Sequence, residues 1–367
     1  MKIGIFLPNA TFDLPGAPEV GGIETFAFTI GEAWQQLGHE VVLYGGRPKY
    51  GRIHRRTSLS LRLHDYVETQ HIPDLGTRFQ RLVQRLHFGW TTRKEWLREN
   101  FDVILLSKPF DWPLAAYWKK KATHRPFIIM GFHGEDYFFG CEKFYRFVDA
   151  AFAVSAPIAE RAKKKIGVRP PCIPNPVDTD FFSPAEPHIK SRHTILASGR
   201  LVGWKGYDRL IEAMAFVLKK HATLSLRLAG EGPVRTELEE KTRELGIADR
   251  VAFLGKLDPE RLREELRRAT LYVQPSIGIE AFSISALEAA ACGVPLILSD
   301  QVGLKDYLSE RDMLIYPAGK VEALASAIDQ ALGRNDEAWW HAQARHERIA
   351  RRFSPKQIAQ EILALVF

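Results

Sequence analysis

Short apolar runs alternate with amphipathic stretches along nearly the whole chain, and one proline-rich interruption divides that alternation into two series. Lys2 to Leu7 reads as a buried strand, followed by a loop from Pro8 to Val20. Apolar residues at Ile23, Phe26, Ala27, Ile30, Trp34 and Leu37 then recur with the spacing of an amphipathic helix. Gly38 ends the helix and Glu40 to Tyr44 forms the next strand, so the unit is that of a doubly wound parallel sheet. Apolar runs at Phe101 to Leu106, Phe127 to Met130 and Ala151 to Val154 extend it. Prolines cluster between Arg169 and His193, as in an interdomain linker. The alternation restarts with strands at Thr194 to Ser198, Leu224 to Ala229, Val251 to Leu254, Leu271 to Gln274 and Val294 to Leu298. Three helices, Val321 to Leu332, about Asp336 to Arg351 and Pro355 to Val366, close the chain. The expectation is an α/β protein with domains at 1–172 and 194–350 and a linker at 173–193. Residues 351–367 are expected to form a helix packing back towards the first domain.

At 367 residues the chain exceeds what a typical single core supports. No apolar run reaches the roughly 18 residues of a bilayer span. The apolar stretch at the N-terminus is too short for a secretory signal, so a cytoplasmic location is the expectation. Cys141, Cys172 and Cys292 form no C-x-x-C pair, consistent with a reducing compartment and buried thiols. The net charge of +7 is uneven, because 12 Lys or Arg stand against four Asp or Glu between Arg47 and Arg98. Phe79, Leu82, Leu86, Phe88, Trp90 and Trp96 interleave with those cations. A basic face with apolar anchors suits an anionic membrane surface, an acidic acceptor or nucleic acid, and a plain solvated surface is the other reading.

Most of the chemistry is concentrated between Pro275 and Pro295. After the strand at Leu271 to Gln274 comes a loop around Gly278, then a helix beginning near Ser283 with small and apolar residues on most faces. The free N–H groups of that helix start make a site for an anion such as a diphosphate. Glu280 precedes the site, and Glu288 lies about 7.5 Å beyond Ser283 at 1.5 Å per residue. Carboxylates on either side of a diphosphate could bind hydroxyls of the two sugars it joins. The plainer alternative makes Glu280 a helix cap and Glu288 a solvated residue.

Other candidates lie at strand ends. Arg200 and Lys205 share one loop and could grip a diphosphate, the first as a fork and the second as a point charge. Gly21-Gly22 at the first helix lets a backbone approach a ligand closely. The pair is not the G-x-G-x-x-G fingerprint, so a nicotinamide or flavin enzyme is disfavoured. His133, in G-F-H-G-E-D, falls where ligands bind to open α/β sheets.

With these residues in order, the chain resembles the retaining nucleotide-sugar glycosyltransferases of the GT-B fold, family 4. The resemblance rests on G-R-L-V-G-W-K-G-Y-D-R-L-I-E-A from Gly199 to Ala213 and on the E-x7-E of Glu280 and Glu288 followed by A-C-G-V-P-L-I. It implies two Rossmann-like α/β domains facing each other across a cleft, the first on the acceptor side and the second binding the donor. It also implies that Glu288 holds the nucleotide ribose, Glu280 the donor sugar, and Arg200 with Lys205 the diphosphate. His133 would contact the transferred sugar, Gly21 and Gly22 would lie against the donor phosphates or the acceptor, and Gly199, Ala281, Phe282, Ser283 and Ile284 would line the donor site. The implied activity is metal-independent hexosyl transfer to a glycan or lipid-linked acceptor, as in polysaccharide, lipopolysaccharide or glycolipid biosynthesis. No cofactor and no nucleic acid are expected, and no D-x-D pair is evident where a metal would be needed. Segment 47–98 would give peripheral contact with the inner face of the cell membrane. Ala281 and Ser283 stand where the family often has glycine, Pro176 likewise after Asn175, and Asp306 where Glu is usual. A nucleotide-sugar epimerase or hydrolase, or a non-catalytic scaffold, would keep the same fold.

Overall fold

The computed structural model describes residues 1–7, 21–47, 57–65, 67, 71–134, 137–185 and 193–367. The loop from Pro8 to Val20, positions 48–56, 66 and 68–70 of the basic segment, Glu135, Asp136 and linker positions 186–192 lie outside the described residues. Two compact units emerge, one of Met1–Pro176 with Pro355–Phe367 and one of Val177–Ser354.

In the first unit, strands β1 (Lys2–Leu7), β2 (Glu40–Gly46), β3 (Ser60–His64), β4 (Val103–Leu106), β5 (Phe127–Phe132) and β6 (Ala150–Ala153) form a sheet of order β3-β2-β1-β4-β5-β6. Every neighbouring pair is parallel. The connecting helices are α1 (Gly22–Gln36), α2 (Thr77–Glu99), α3 (Trp112–Lys121), α4 (Glu142–Tyr145) and α5 (Ala156–Ile166). Strand order reverses between β1 and β4, and at such a switch point the carboxyl ends of the two strands open a crevice. Gly21 and Gly22 follow β1 there, and Ser107 to Asp111 follow β4.

The second unit repeats the plan with β7 (Thr194–Ser198), β8 (Ser225–Ala229), β9 (Val251–Gly255), β10 (Leu271–Gln274), β11 (Leu296–Ser299) and β12 (Met313–Tyr316), in the order β12-β11-β10-β7-β8-β9. Its helices are α6 (Tyr207–Val217), α7 (Arg235–Glu244), α8 (Pro259–Arg268), α9 (Ile284–Ala291), α10 (Val321–Leu332), α11 (Glu337–Trp340) and α12 (Ala342–Phe353). Here the switch point lies between β7 and β10. The Arg200–Lys205 loop follows the first of these strands and the Glu280 loop the second. Helix α13 (Pro355–Leu363) belongs to the first unit, where Trp34 Nε1 of α1 donates to Ala359 O at 3.0 Å.

Several elements differ from the sequence reading. The helix expected near 336–351 is broken at His341, whose Nδ1 accepts from Ala344 N at 3.1 Å and so starts α12. Strands β3 and β12 and the long helix α2 were not read from the pattern. Of the proposed apolar anchors, Phe88 and Trp96 are buried in the core, where Phe6 meets their rings at 5.5 and 5.3 Å. They are packing residues, whereas Phe79 and Trp90 are exposed. Arg85 is also buried, its guanidinium forming a two-pronged pair with Asp111 at 2.6 and 2.6 Å. Cys141 and Cys292 are buried but Cys172 is only partly so.

The helix carrying Glu288 is held from behind by α12. His346 Nδ1 meets Ala291 O at 2.7 Å, and Arg345, fully buried, donates to the carbonyls of Gly293, Arg311 and Trp339 at 3.1, 3.0 and 2.6 Å. Burial lowers its pKa to about 10, against the pull of Asp312. Removing the guanidinium deletes three donated hydrogen bonds and part of a buried carboxylate's neutralisation. Arg345→Ala should therefore cost about 3–5 kcal/mol in denaturant unfolding; a loss below about 1 kcal/mol would contradict this role.

Candidate functional site

Gln274 ends β10, and the loop from Pro275 to Ser283 is fixed on several sides. Ile277 N and Gly278 N donate to Trp204 O at 2.9 and 3.0 Å, and Ser299 Oγ donates to Ser276 O at 2.6 Å. Glu280 N donates to Gln301 O at 3.0 Å, Gly303 N to Glu280 O at 2.9 Å, and Leu304 N to Phe282 O at 3.0 Å. The loops after β7, β10 and β11 are thus bound to one another by main-chain bonds. Gly206 lets the first approach the second, since its φ is +71° and a Cβ there would meet Pro275 O at 2.2 Å.

Across this junction Lys205 Nζ donates to Glu280 Oε2, with both side chains largely buried. Ser276 Oγ donates to the same oxygen at 3.0 Å, and Glu280 Oε1 has no partner among the described residues. Glu280 is therefore not the cap of α9. Ser283 is, its Oγ accepting from Ala286 N at 3.4 Å. Ser283 holds φ 82° and ψ 86°, a left-handed conformation that costs a non-glycine residue on the order of 1–3 kcal/mol.

Glu288 is not the solvated residue of the plainer reading either. It is partly buried, has no polar partner among the described residues, and burial pushes its carboxyl up to about 8. An unpartnered acid on an alanine-rich helix is costly to ionise, and hydroxyl donors from a ligand would relieve that cost.

The remaining second-unit candidates are placed as follows. Gly199 directly follows β7 with φ +143°, its N donating to Ala229 O at 2.9 Å, and Arg200 beside it is exposed. Ala281 and Ile284 are partly buried. The Phe282 ring is buried against Tyr307 and Phe353, at 5.7 and 6.4 Å, so only its backbone is available to a ligand.

In the first unit Gly21 caps α1 without a side chain and Gly22 is exposed at its first turn. A Cβ at Gly21 would meet Glu24 Oε2 at 2.6 Å, so the glycine makes room for a carboxylate folded over the helix start. Burial raises the Glu24 pKa, opposed by its own and the Gly21 backbone bonds and by the charges of Lys108 and Arg85. His133 directly follows β5, its ring 4.4 Å from that of Phe26 and its Nε2 unpartnered. Burial and then the charge of Lys108 lower its pKa to about 3, while Asn175 opposes the shift. The imidazole is neutral near pH 7 and cannot serve there as a cationic acid.

The sequence reading missed Glu24, the Arg85–Asp111 pair, Gln274 and Ser276. For Glu24 a signal existed in its place within the first turn after Gly-Gly. Asp178-Thr179-Asp180 is a D-x-D in sequence, yet Asp178 Oδ1 accepts from Asp180 N and Phe181 N at 3.1 and 3.0 Å and shapes a turn. Among the described residues no three His, Cys, Asp or Glu side chains are grouped to hold a metal ion.

The two shifted groups make opposite stability predictions. Glu288 titrates at about 8 folded against an ordinary 4.5, so the folded chain binds more protons and stability attributable to the group is lost as pH rises through 8. Glu288→Gln should gain on the parent in Tm from pH 5 to 9; a constant difference would refute the shift. His133 titrates at about 3 against 6.5, so the unfolded chain binds more protons between those values and stability is lost as pH falls. His133→Gln should gain on the parent from pH 7 to 5, and a loss there would contradict the neutral imidazole.

Comparison with known proteins follows the two units. A "Glycosyltransferase Family 4" family model matches residues 20–181 and a "Glycosyl transferases group 1" model matches residues 178–348. The chain is 27% identical over 384 residues to the phosphatidyl-myo-inositol mannosyltransferase of Mycobacterium leprae, covering 99% of this chain and 96% of the relative. It is 30% identical over 217 residues to a subunit of the phosphatidylinositol N-acetylglucosaminyltransferase of Arabidopsis thaliana, covering 58% of this chain and 48% of that protein. The crystal structure of Anabaena HepE in complex with UDP and glucose superposes with TM-score 0.77 at 17% identity, over 100% of this chain and 99% of that one. The chain's own two parallel six-stranded sheets and these successive matches show that it is a glycosyltransferase of the GT-B fold, belonging to glycosyl transferases group 1, family 4.

Proposed function

We propose that this glycosyltransferase moves a sugar, with retained anomeric configuration, from a nucleoside-diphosphate sugar to a glycan or lipid-linked acceptor. The observation that carries the reading is the Lys205–Glu280 pair beside the capped start of α9, with the unpartnered Glu288 further along the same helix. The N–H groups of that helix start, Lys205 and Arg200 receive the diphosphate. Glu288 receives the ribose hydroxyls, and the open Oε1 of Glu280 a hydroxyl of the donor sugar.

In the reaction the bond from C1 to the diphosphate oxygen breaks while the acceptor oxygen attacks C1 from the same face. The acceptor proton passes to the departing diphosphate, so no side chain has to act as a base. Lys205, Arg200 and the α9 start meet the charge that develops on the leaving group, which makes a metal ion unnecessary. His133, neutral, offers a hydrogen bond to the transferred sugar.

Two further proposals concern partners. UDP is present in the HepE complex and is the first nucleotide to test, and both relatives named above carry a phosphatidylinositol lipid in their names, which favours a lipid acceptor. Such an acceptor lies in a membrane, and α2 presents a suitable face on the cytoplasmic side. Its exposed stripe of Phe79, His87, Trp90, Lys94 and Arg98 contains no acid, and Arg93 lies 4.1 Å over the Trp90 ring. The acids of this helix are engaged elsewhere, Glu95 with Arg62 and His64 and Glu99 with Lys2 and Arg62. No described helix is long and apolar enough to cross a membrane.

A melting series with UDP, GDP, ADP, dTDP and CMP tests the donor site. The cognate nucleotide at about 100 times its dissociation constant should add roughly 2.7 kcal/mol. Glu288→Ala should weaken that gain, and Glu280→Ala should cut transfer at least about a hundredfold with the fold intact. No gain with any nucleotide, or undiminished transfer by Glu280→Ala, would sink the reading. For the membrane, Lys94→Ser with Arg98→Ser should reduce sedimentation with anionic vesicles roughly tenfold or more at low salt, at about 1 kcal/mol per cation. Equal sedimentation would remove α2 from the membrane.

A further inference from the structure

Resting on that donor reading, we infer that Gln274 and Ser283 are positioning residues: a one-way hydrogen-bond relay from Ser283 through Gln274 and Ser276 holds Glu280 for the donor sugar. The relay is defined by donors and acceptors. Ser283 Oγ donates to Gln274 Oε1 at 3.1 Å, Gln274 Nε2 donates to Ser276 Oγ at 3.0 Å, and Ser276 Oγ donates to Glu280 Oε2 at 3.0 Å. Gln274 and Ser276 are fully buried and Ser283 nearly so.

The polarity has a cause. An amide can present its oxygen and its nitrogen to only one side each, and Tyr272 Oη, 3.2 Å away, also addresses the oxygen. Ser283 therefore fixes the amide with Nε2 towards Ser276. Ser276, accepting from Nε2, turns its own proton to the carboxylate. Lys205 donates to the same Oε2. With that oxygen satisfied twice, Oε1 is left for a substrate hydroxyl, at a position set by the relay. The arrangement also accounts for a serine in a left-handed conformation: glycine would relieve the backbone but would leave Gln274 Oε1 to Tyr272 Oη alone, whose single proton is also within reach of Ser198 O at 3.1 Å.

The relay bears on the sugar half of the donor and leaves the nucleotide half alone, and that difference separates positioning from a general structural role. Ser283→Gly removes the donor while easing the backbone, so it folds. It should keep or raise Tm, and its affinity for the free nucleoside diphosphate should fall less than its affinity for the nucleotide sugar. Its affinity and kcat/KM for the nucleotide sugar should fall about tenfold, the size expected for one hydrogen bond to a charged group. In a Glu280→Gln background the same substitution should have little further effect, because the group it positions has changed. Gln274→Ala should reproduce the sugar-selective loss, and combined with Ser283→Gly should add little. Unaltered kcat/KM in Ser283→Gly, an equal loss for free nucleotide and nucleotide sugar, or a full tenfold effect in the Glu280→Gln background would each overturn the relay. Failure of the parent itself to bind any nucleotide sugar would instead overturn the donor reading.

Discussion

Two loops of the second unit meet at one oxygen. Glu280 Oε2 takes hydrogen bonds from Lys205 and Ser276, and these donors come from the loops after β7 and β10, the two strands that flank the switch point. A largely buried carboxylate is tolerable only when its charge is met and its lone pairs are used. The surrounding backbone is arranged to keep it so. Gly206 admits the close approach, Trp204 O anchors Ile277 and Gly278, and the loop after β11 clamps Glu280 on both its N–H and its C=O. Glu288, eight residues on, is left without such support, and its raised pKa marks the difference between the two acids.

Stability has been given up at this site and recovered around it. Ser283 holds an unfavourable backbone and Glu288 an unmatched acid, while Arg345 and His346 grip the far end of the same helix through the carbonyls of Gly293 and Ala291. In the first unit the buried Arg85–Asp111 pair plays a comparable part, joining α2 to the turn after β4. The outward face of α2 can then be basic and aromatic because its inward face is secured.

Much of the frame was legible because buried parallel strands are continuous apolar runs and glycine marks the turns between them. What escaped has a physical reason. Strand β3, S-L-R-L-H, lies at a sheet edge and is only half buried, so it shows no apolar run. On α2 the inward positions include Arg85, Gly89 and Thr92 as well as Phe88 and Trp96, which hides the stripe and makes core aromatics look like surface anchors. Among the candidates, Lys205 and Glu280 were legible as charges in loops at strand ends and Glu288 as an acid within an alanine-rich helix. Gln274, Ser276 and Ser283 were not, because an amide and two hydroxyls give no signal until their directions are known. Arg345 was equally hidden, one arginine among several on a basic helix.

The central claim, that Glu288 awaits the hydroxyls of a nucleotide, is tested most directly by titration calorimetry of the cognate nucleotide at pH 7 in two buffers of different ionisation enthalpy. With its pKa near 8 the carboxyl is mostly protonated before binding, and hydroxyl donors favour the ionised form. Nucleotide binding should release a proton, approaching one per nucleotide bound, and the release should disappear in Glu288→Gln. Binding without proton release, or with the same release in Glu288→Gln, would contradict it.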